Sequence, residues 1–108
     1  MNTKDYVYPA APVLTSSQRA KLRSIAANIP TIMQIGKEGL TENLAYTVSD
    51  ALEARELIKL SVLETADCSP HEAAQAFAEA LDAAVVTVIG RKIVLYRRSL
   101  KGKRHIEF

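Results

Sequence analysis

Gly36, Lys37, Glu38 and Gly39 form a segment whose residue types and spacing suit phosphate binding. The segment follows an apolar run and precedes a candidate helix start. Glycine adopts a positive φ and lets a phosphate approach the main chain, and N–H groups at a helix N-terminus favour an anion. Lys37 would add positive charge, whereas the carboxylate of Glu38 would repel phosphate unless it points away. These four residues alone leave two interpretations open, a tight strand-to-helix turn, which is favoured, and a phosphate-binding loop.

Catalytic and metal-binding chemistry finds little support in the sequence. The two histidines, His71 and His105, form no persuasive metal or nucleophile set with the single cysteine, Cys68. No dinucleotide fingerprint or Walker sequence occurs, and the carboxylates are scattered along the chain. We therefore predict a protein that is not an enzyme and needs neither a cofactor nor a metal.

Positive charge is concentrated at the C-terminal end of the chain. The net charge of the whole chain is +2, but residues 1–90 carry −4 and residues 91–108 carry +6. A cluster of this kind favours a polyanionic partner, most commonly nucleic acid. The polar face of the first predicted helix extends the pattern with Arg19, Lys21 and Arg23. The charge distribution alone also allows a basic, solubilising tail.

Length and composition predict one soluble domain. A chain of 108 residues with 48% hydrophobic content can build one ordinary core. The longest apolar run is shorter than the roughly 20 residues of a membrane helix, and the N-terminal segment lacks the apolar stretch of a signal peptide. A single cysteine cannot form an internal disulfide, which fits a reducing compartment. We therefore expect a cytoplasmic location.

Hydrophobic periodicity predicts the element order helix, strand, helix, strand, helix, strand, strand. Each predicted helix begins after a capping side chain, and the candidate caps are Thr15, Thr41 and Ser69. Pro30 is predicted to end the first helix. The predicted strands are short runs of apolar or β-branched residues, at positions 31–35, 56–64, 84–90 and 92–98.

The order of these elements predicts an α/β fold. Two strand–helix–strand units imply parallel pairing, and a hairpin through Gly90 adds an antiparallel strand. The strand at residues 56–64 has apolar residues on both faces and is predicted to be central. The expected architecture is α+β-like and two-layered, a four-stranded mixed sheet with helices packed on it. An extended arm (1–13) would precede the domain (14–98), and a mobile basic tail (99–108) would follow it.

Four segments of the sequence, in register, resemble the CRM domain. They are LTSSQRAKLRSIA, IGKEGLTENL, ALEARELIKLSV and VVTVIGRKIVLYRR, and together they cover about residues 14–98. This domain is the RNA-binding module of chloroplast splicing factors and of the bacterial YhbY family. The resemblance implies a fold similar to the C-terminal domain of translation initiation factor three, with a Gly-x-x-Gly loop similar to that of KH domains. It also implies RNA binding and, for stand-alone bacterial members, association with precursors of the large ribosomal subunit.

The resemblance also places the RNA-binding residues. It puts the RNA-contacting loop at Gly36, Lys37 and Gly39, and the helix start at Thr41. The RELIK segment supplies Arg55, Glu56 and Lys59, and it departs from the family pattern at Arg55, where histidine is usual. Beyond this segment, Ser61 stands where many members have a second basic residue. The closing LYR segment contains Tyr96, which could stack on a base but is more often core at such a position.

The leading interpretation is a monomeric, non-catalytic RNA-binding protein that binds ribosomal RNA in pre-ribosomal particles and assists ribosome assembly. The predicted RNA-binding residues have a basic side chain or a place in the loop or at the helix start that follows it: Gly36, Lys37, Glu38, Gly39, Thr41, Arg19, Arg23, Arg55, Lys59, Arg91, Lys92, Arg97, Arg98, Lys101, Lys103 and Arg104. The alternative interpretation is an adaptor that docks on an acidic protein through its sheet face or its basic tail.

Overall fold

The structure of the protein, a computed structural model, describes residues 13–102 and 105–108. The element order is the predicted one. The helices are α1 (Ser16–Ala26), α2 (Glu42–Arg55) and α3 (Pro70–Leu81), and the strands are β1 (Thr31–Ile35), β2 (Leu57–Val62), β3 (Ala84–Ile89) and β4 (Lys92–Tyr96). Apart from Val13, the predicted N-terminal arm lies outside the described residues, as do Lys103 and Arg104.

Side-chain caps begin the three helices at the predicted residues. The hydroxyl of Thr15 accepts the N–H of Gln18, whose side chain accepts the N–H of Thr15, so the predicted capping box is confirmed. Ser69 begins α3 in the same way, and Thr41 caps α2. The predicted end of α1 at Pro30 is wrong: the helix ends at Ala26, and beyond its cap the N–H groups of Asn28 and Ile29 donate only three residues back, in a tight turn.

The strands form one mixed sheet in the order β1-β2-β4-β3. β1 and β2 pair in parallel, while β4 pairs antiparallel with both β2 and β3. The predicted central position of β2 is confirmed. Parallel pairing between β2 and β3 is wrong, because β4 lies between them. At this interior position residues 93–96 of β4 are all buried, whereas the edge strand β3 ends on an Ile89 that is 67% exposed.

Helices cover both faces of the sheet. α2 and α3 pack on one face around a core that includes Ile58, Leu60 and Phe77. α1 packs on the other face, where Leu22 contacts a second core containing Leu57 and Tyr96. The alternation of side chains along β2 supplies both cores. The four-stranded mixed sheet is as predicted, and α1 adds a third layer to the expected two. Tyr96 is buried, so its predicted place in the core is confirmed.

The described part of the C-terminal segment packs against the domain. The N–H groups of Leu100 and Lys101 donate to the carboxylate of Glu53. Further along, Phe108 places its ring edge-on to Tyr96, with centroids 5.0 Å apart. The predicted mobile tail is therefore wrong for residues 99–102 and 105–108, because long-range hydrogen bonds and apolar contacts hold them.

Candidate nucleic-acid interface

The Gly36–Gly39 loop is a closed turn between β1 and α2. The N–H of Gly39 donates to the carbonyl of Gly36 at 3.0 Å, and Lys37 and Glu38 are exposed at the turn's tip. Gly39 has a φ of 69°, a conformation that glycine adopts without strain. A Cβ at this position would have no neighbour within 4 Å, so the backbone angle rather than space favours glycine.

The N-terminus of α2 lies directly after this loop. The hydroxyl of Thr41 accepts the N–H of Leu44 at 3.1 Å, while the N–H groups of Glu42 and Asn43 have no intrahelical acceptor. A shallow depression is lined by the loop together with Gln34, Thr41, Asn43, Leu44 and Thr47. Main-chain donors and the helix dipole therefore favour an anion here. The side chains oppose it, because the two negative charges of Glu38 and Glu42 exceed the single positive charge of Lys37. Additional positive charge has to come from a neighbouring surface.

A neighbouring surface of this kind lies on the sheet. Cross-strand pairing places Gln34, Ser61, Lys92 and Ile89 in one row across all four strands, and Lys59 in the next row beside Val94. Val94 belongs to the core beneath α1, so both rows lie on the α1 side of the sheet. Gln34, Lys92 and Ile89 are exposed, and Lys59 and Ser61 are half-buried. We call these five residues the open sheet face.

The open sheet face adjoins the Gly36–Gly39 loop. Gln34 belongs to the open sheet face and also lines the depression beside the loop. The two lysines of the open sheet face, Lys59 and Lys92, lie on adjacent paired strands. The loop and this surface together make one continuous region that combines main-chain donors with mobile positive charges.

Arg97 lies inside the fold rather than at this surface. Its guanidinium donates to the carbonyls of Leu81, at 3.1 Å, and Ser49, at 3.0 Å, and also to the hydroxyl of Ser49. The residue is 2% exposed. The predicted phosphate contact of Arg97 is wrong, because alternation along the strand directs Arg97 between α2 and α3, away from the side of Tyr96.

Arg19 and Arg91 are half-buried and also hydrogen-bond the main chain. Arg19 donates to the carbonyl oxygens of Val85 and Val86 on β3. Arg91 donates through Nε to the carbonyl of Val62 at 2.6 Å and through Nη2 to that of Leu63 at 2.8 Å. Both guanidinium groups therefore have structural partners that compete with direct phosphate contacts.

Three further predicted residues lie exposed towards the other end of α2. Arg55 is in the last turn of α2, and Arg98 and Lys101 belong to the chain that follows β4. A helix of 14 residues is about 20 Å long, so Arg55 is separated from the loop by roughly that distance. Arg23 is exposed on α1, four residues from Arg19 and on the same flank.

Sequence reasoning missed two carboxylates that hold the C-terminal segment. Glu56 has a φ of 65° and accepts the N–H groups of Ser99 and Ile106 at 2.7 and 2.8 Å. Burial opposes ionisation of Glu56, but hydrogen bonds from His105 and these N–H groups outweigh it and lower the pKa of Glu56. For Glu53, burial is likewise outweighed by hydrogen bonds from Ser99, Leu100 and Lys101, and the pKa is lowered. Glu56 stands in the RELIK segment, but nothing in the sequence near either residue indicates this role, because their partners lie more than forty positions away.

The described residues contain neither a metal-binding cluster nor a membrane-spanning helix. Within residues 13–102 and 105–108, no three His, Cys, Asp or Glu side chains come together in a way that could hold a metal ion. None of the helices in that part of the chain is both long and apolar enough to cross a membrane.

The sequence predicted a four-stranded mixed sheet with helices packed on it, the resemblance implied a two-glycine loop before a helix start, and the structure has both features. The chain belongs to the CRS1 / YhbY (CRM) domain family, which it matches over residues 14–97. The family membership predicted from four sequence segments is therefore confirmed.

Relatives from three organisms align with most of the length of this chain. The probable RNA-binding protein YqeI of Bacillus subtilis is 39% identical over 92 residues, which are 85% of this chain and 96% of that protein. The probable RNA-binding protein MJ0652 of Methanocaldococcus jannaschii is 34% identical over 86% of this chain and 70% of its own. An RNA-binding protein of Haemophilus influenzae is 31% identical over 83% of this chain and 91% of that protein. The names of these three relatives refer to RNA binding and not to an enzymatic activity.

A solved structure shares the fold. The solution structure of SAV1595 from Staphylococcus aureus matches with a TM-score of 0.73 and 45% sequence identity. The match covers 88% of this chain and 98% of that protein. The predicted fold class is confirmed by this likeness.

Proposed function

We propose that this protein binds RNA without catalysing a reaction, and that the RNA backbone lies across the Gly36–Gly39 loop and the open sheet face. The observation that carries the proposal is the continuity of the two through Gln34. The loop offers main-chain N–H groups and a mobile Lys37, and the sheet adds Lys59 and Lys92. The names of the three relatives support RNA as the partner.

The contacts in this arrangement position RNA more than they read its sequence. Lysine ammonium groups and main-chain N–H groups contact phosphates, which all RNA sequences share. The outer face of α2 carries Glu42, Asp50 and Glu53, so phosphates avoid it. The path over the sheet is therefore favoured over a path along α2, and Arg23 on α1 borders the sheet side.

A second set of contacts is proposed for Arg55, Arg98 and Lys101. These exposed residues lie about 20 Å from the loop, a distance that a few nucleotides of extended single strand can span. Lys103 and Arg104 add charge to the same part of the sequence. The unit that we propose to bind RNA is residues 14–98, with residues 99–108 contributing these additional contacts.

The proposed target is ribosomal RNA in precursors of the large ribosomal subunit, with a role in ribosome assembly in the bacterial cytoplasm. Resemblance to stand-alone bacterial members of the family supports this target. The protein would act as a monomer on the pre-ribosomal particle. Crosslinking in cells followed by sequencing of the attached RNA tests the target, because crosslinks confined to transfer or messenger RNA would contradict it.

A salt titration tests RNA binding by the purified protein. If Lys37, Lys59, Lys92 and Arg98 each neutralise one phosphate, log affinity should fall against log salt with a slope of about −3 on a single strand. A flat slope would contradict the proposed phosphate contacts. Gln75→Lys on the exposed side of α3, away from the proposed path, is a charge-adding control that should leave the slope unchanged.

One observation favours the adaptor alternative. Ile89 is 67% exposed and pairs across the hairpin with Lys92, a combination of apolar and basic groups that would also suit an acidic protein. Nuclease-sensitive absorbance at 260 nm in the purified protein distinguishes the two functions, because the adaptor function does not predict bound RNA.

A further inference from the structure

Arg91 ties the β3–β4 hairpin to the end of β2. Its main-chain carbonyl accepts the N–H of Val62 at 2.7 Å. Its guanidinium returns two hydrogen bonds, from Nε to the carbonyl of Val62 at 2.6 Å and from Nη2 to the carbonyl of Leu63 at 2.8 Å. The planar fork of one guanidinium therefore fixes two consecutive peptide groups.

Leu63 in turn holds the start of the Gly36–Gly39 loop. Its N–H donates to the carbonyl of Ile35 at 2.9 Å, extending the pairing of β1 and β2 up to the first loop residue. Its Cδ1 atom lies 3.8 Å from the point where a Cβ on Gly36 would be, an ordinary packing distance. The main-chain hydrogen bond of Leu63 thus reaches the residue before the loop, and its side chain lies beside Gly36.

From this chain of contacts we infer that Arg91 is a positioning residue, which holds the Gly36–Gly39 loop in its RNA-binding geometry through Leu63. The inference rests on the proposed function of the loop. It replaces the predicted phosphate contact of Arg91, because the Nε and Nη2 donors are engaged by main-chain oxygens. The exposed neighbour Lys92, on the open sheet face, keeps its predicted phosphate contact.

Arg91→Lys separates positioning from charge. The variant keeps the positive charge, but a single ammonium group cannot reproduce the two fixed hydrogen bonds of the guanidinium. Arg91→Gln removes both the charge and the fork, and Lys92→Gln, the matched control, removes an adjacent charge that faces solvent. A phosphate contact would tolerate Arg91→Lys, whereas a positioning role would not.

The test measures the affinity of each variant for a fluorescent 12-nucleotide single-stranded RNA of mixed sequence at several salt concentrations. We expect Arg91→Lys to weaken binding about fivefold at every salt concentration, with an unchanged slope. Lys92→Gln should reduce the steepness of the slope by about 0.7. Wild-type affinity for Arg91→Lys, together with a slope reduced by about 0.7 for Arg91→Gln, would overturn the inference and restore the phosphate contact.

A second measurement needs no RNA and so remains decisive if the proposed function fails. In amide NMR spectra of the free protein, Arg91→Lys should shift the N–H signals of Gly36 and Gly39, and Lys92→Gln should leave them in place. Unmoved glycine signals in a folded Arg91→Lys protein would overturn the positioning role. Absence of RNA binding by the wild type, with shifted glycine signals in the variant, would instead overturn only the RNA function of the loop.

Discussion

The Nδ1 atom of His105 lies 2.5 Å from the carboxylate oxygen Oε2 of Glu56, a residue that is only 4% exposed. The same carboxylate accepts the N–H groups of Ser99 and Ile106, so a single buried side chain at the end of α2 binds the C-terminal segment at three points. A segment whose composition is polar and basic is thereby kept on the domain.

The low pKa of Glu56 predicts how stability depends on pH. Because the folded protein lowers the pKa of this carboxyl below its usual value, the carboxylate stabilises the fold at pH values above about 4.5 and loses that effect as pH falls further. Glu56→Gln should therefore be less stable than the wild type at pH 7, and the difference should shrink below about pH 4. Denaturant unfolding at pH 7, 5 and 3.5 measures this difference in stability. A difference that stays constant over this range would contradict the stabilising role of the ionised Glu56 carboxylate. Glu64→Gln, at an exposed position, is the control.

Arg97 and Arg98 are adjacent, but replacing each by glutamine should affect different properties, the stability of the fold for Arg97 and RNA binding for Arg98. Arg97→Gln loses buried hydrogen bonds to Ser49 and Leu81, and we expect it to destabilise the fold by about 2–4 kcal/mol. Arg98→Gln, at an exposed position, should leave stability within about 0.5 kcal/mol and reduce the steepness of the salt slope of RNA binding by about 0.7. Thermal unfolding and the salt titration measure the two effects. Equal destabilisation by both variants would contradict the conclusion that, of the two residues, only Arg97 has a buried structural role.

Gly39 allows backbone geometry to be separated from charge in the loop. Asparagine tolerates a positive φ better than most residues, and space for a side chain is present, so Gly39→Asn should cost about 1 kcal/mol of stability or less. Gly39→Asp has nearly the same shape but adds a negative charge. If the loop contacts phosphate, the aspartate variant should bind RNA several-fold more weakly than the asparagine variant at about 0.1 M salt. Equal affinities of the two variants would indicate that the loop is only a turn.

Local sequence signals predicted the parts of this fold that depend on near neighbours. The capping box of Thr15 and Gln18, the cap at Ser69 and the turn at Gly90 each involve residues a few positions apart, and each is present as expected. The Gly36–Gly39 loop belongs to this group, because its closing hydrogen bond joins residues three apart. Its position beside a helix start was therefore predictable.

Contacts between distant segments were not predictable in the same way. Nothing in the sequence around Arg91 or Arg97 distinguishes a guanidinium that binds carbonyl oxygens from one that faces solvent. Their acceptors lie at Val62 and Ser49, far along the chain, and only the folded sheet brings them together. The insertion of β4 between β2 and β3 and the attachment of residue 106 to Glu56 have the same origin. Charge counts therefore overestimated the number of arginines available to RNA.

Glu38 is the residue of the loop whose charge opposes the proposed function. Its side chain is exposed at the tip of the turn beside Lys37, where a bound phosphate would approach. Glu38→Gln removes this repulsion without changing the turn, so the variant should bind single-stranded RNA about two- to fivefold more tightly than the wild type at 0.1 M salt. The gain should nearly disappear at about 1 M salt, where the screening length is about 3 Å. Glu79→Gln, an exposed substitution on α3, is the control for the change in net charge. Fluorescence titrations at the two salt concentrations measure the effect, and equal gains for both variants would show that overall charge, rather than the position of Glu38 in the loop, is responsible.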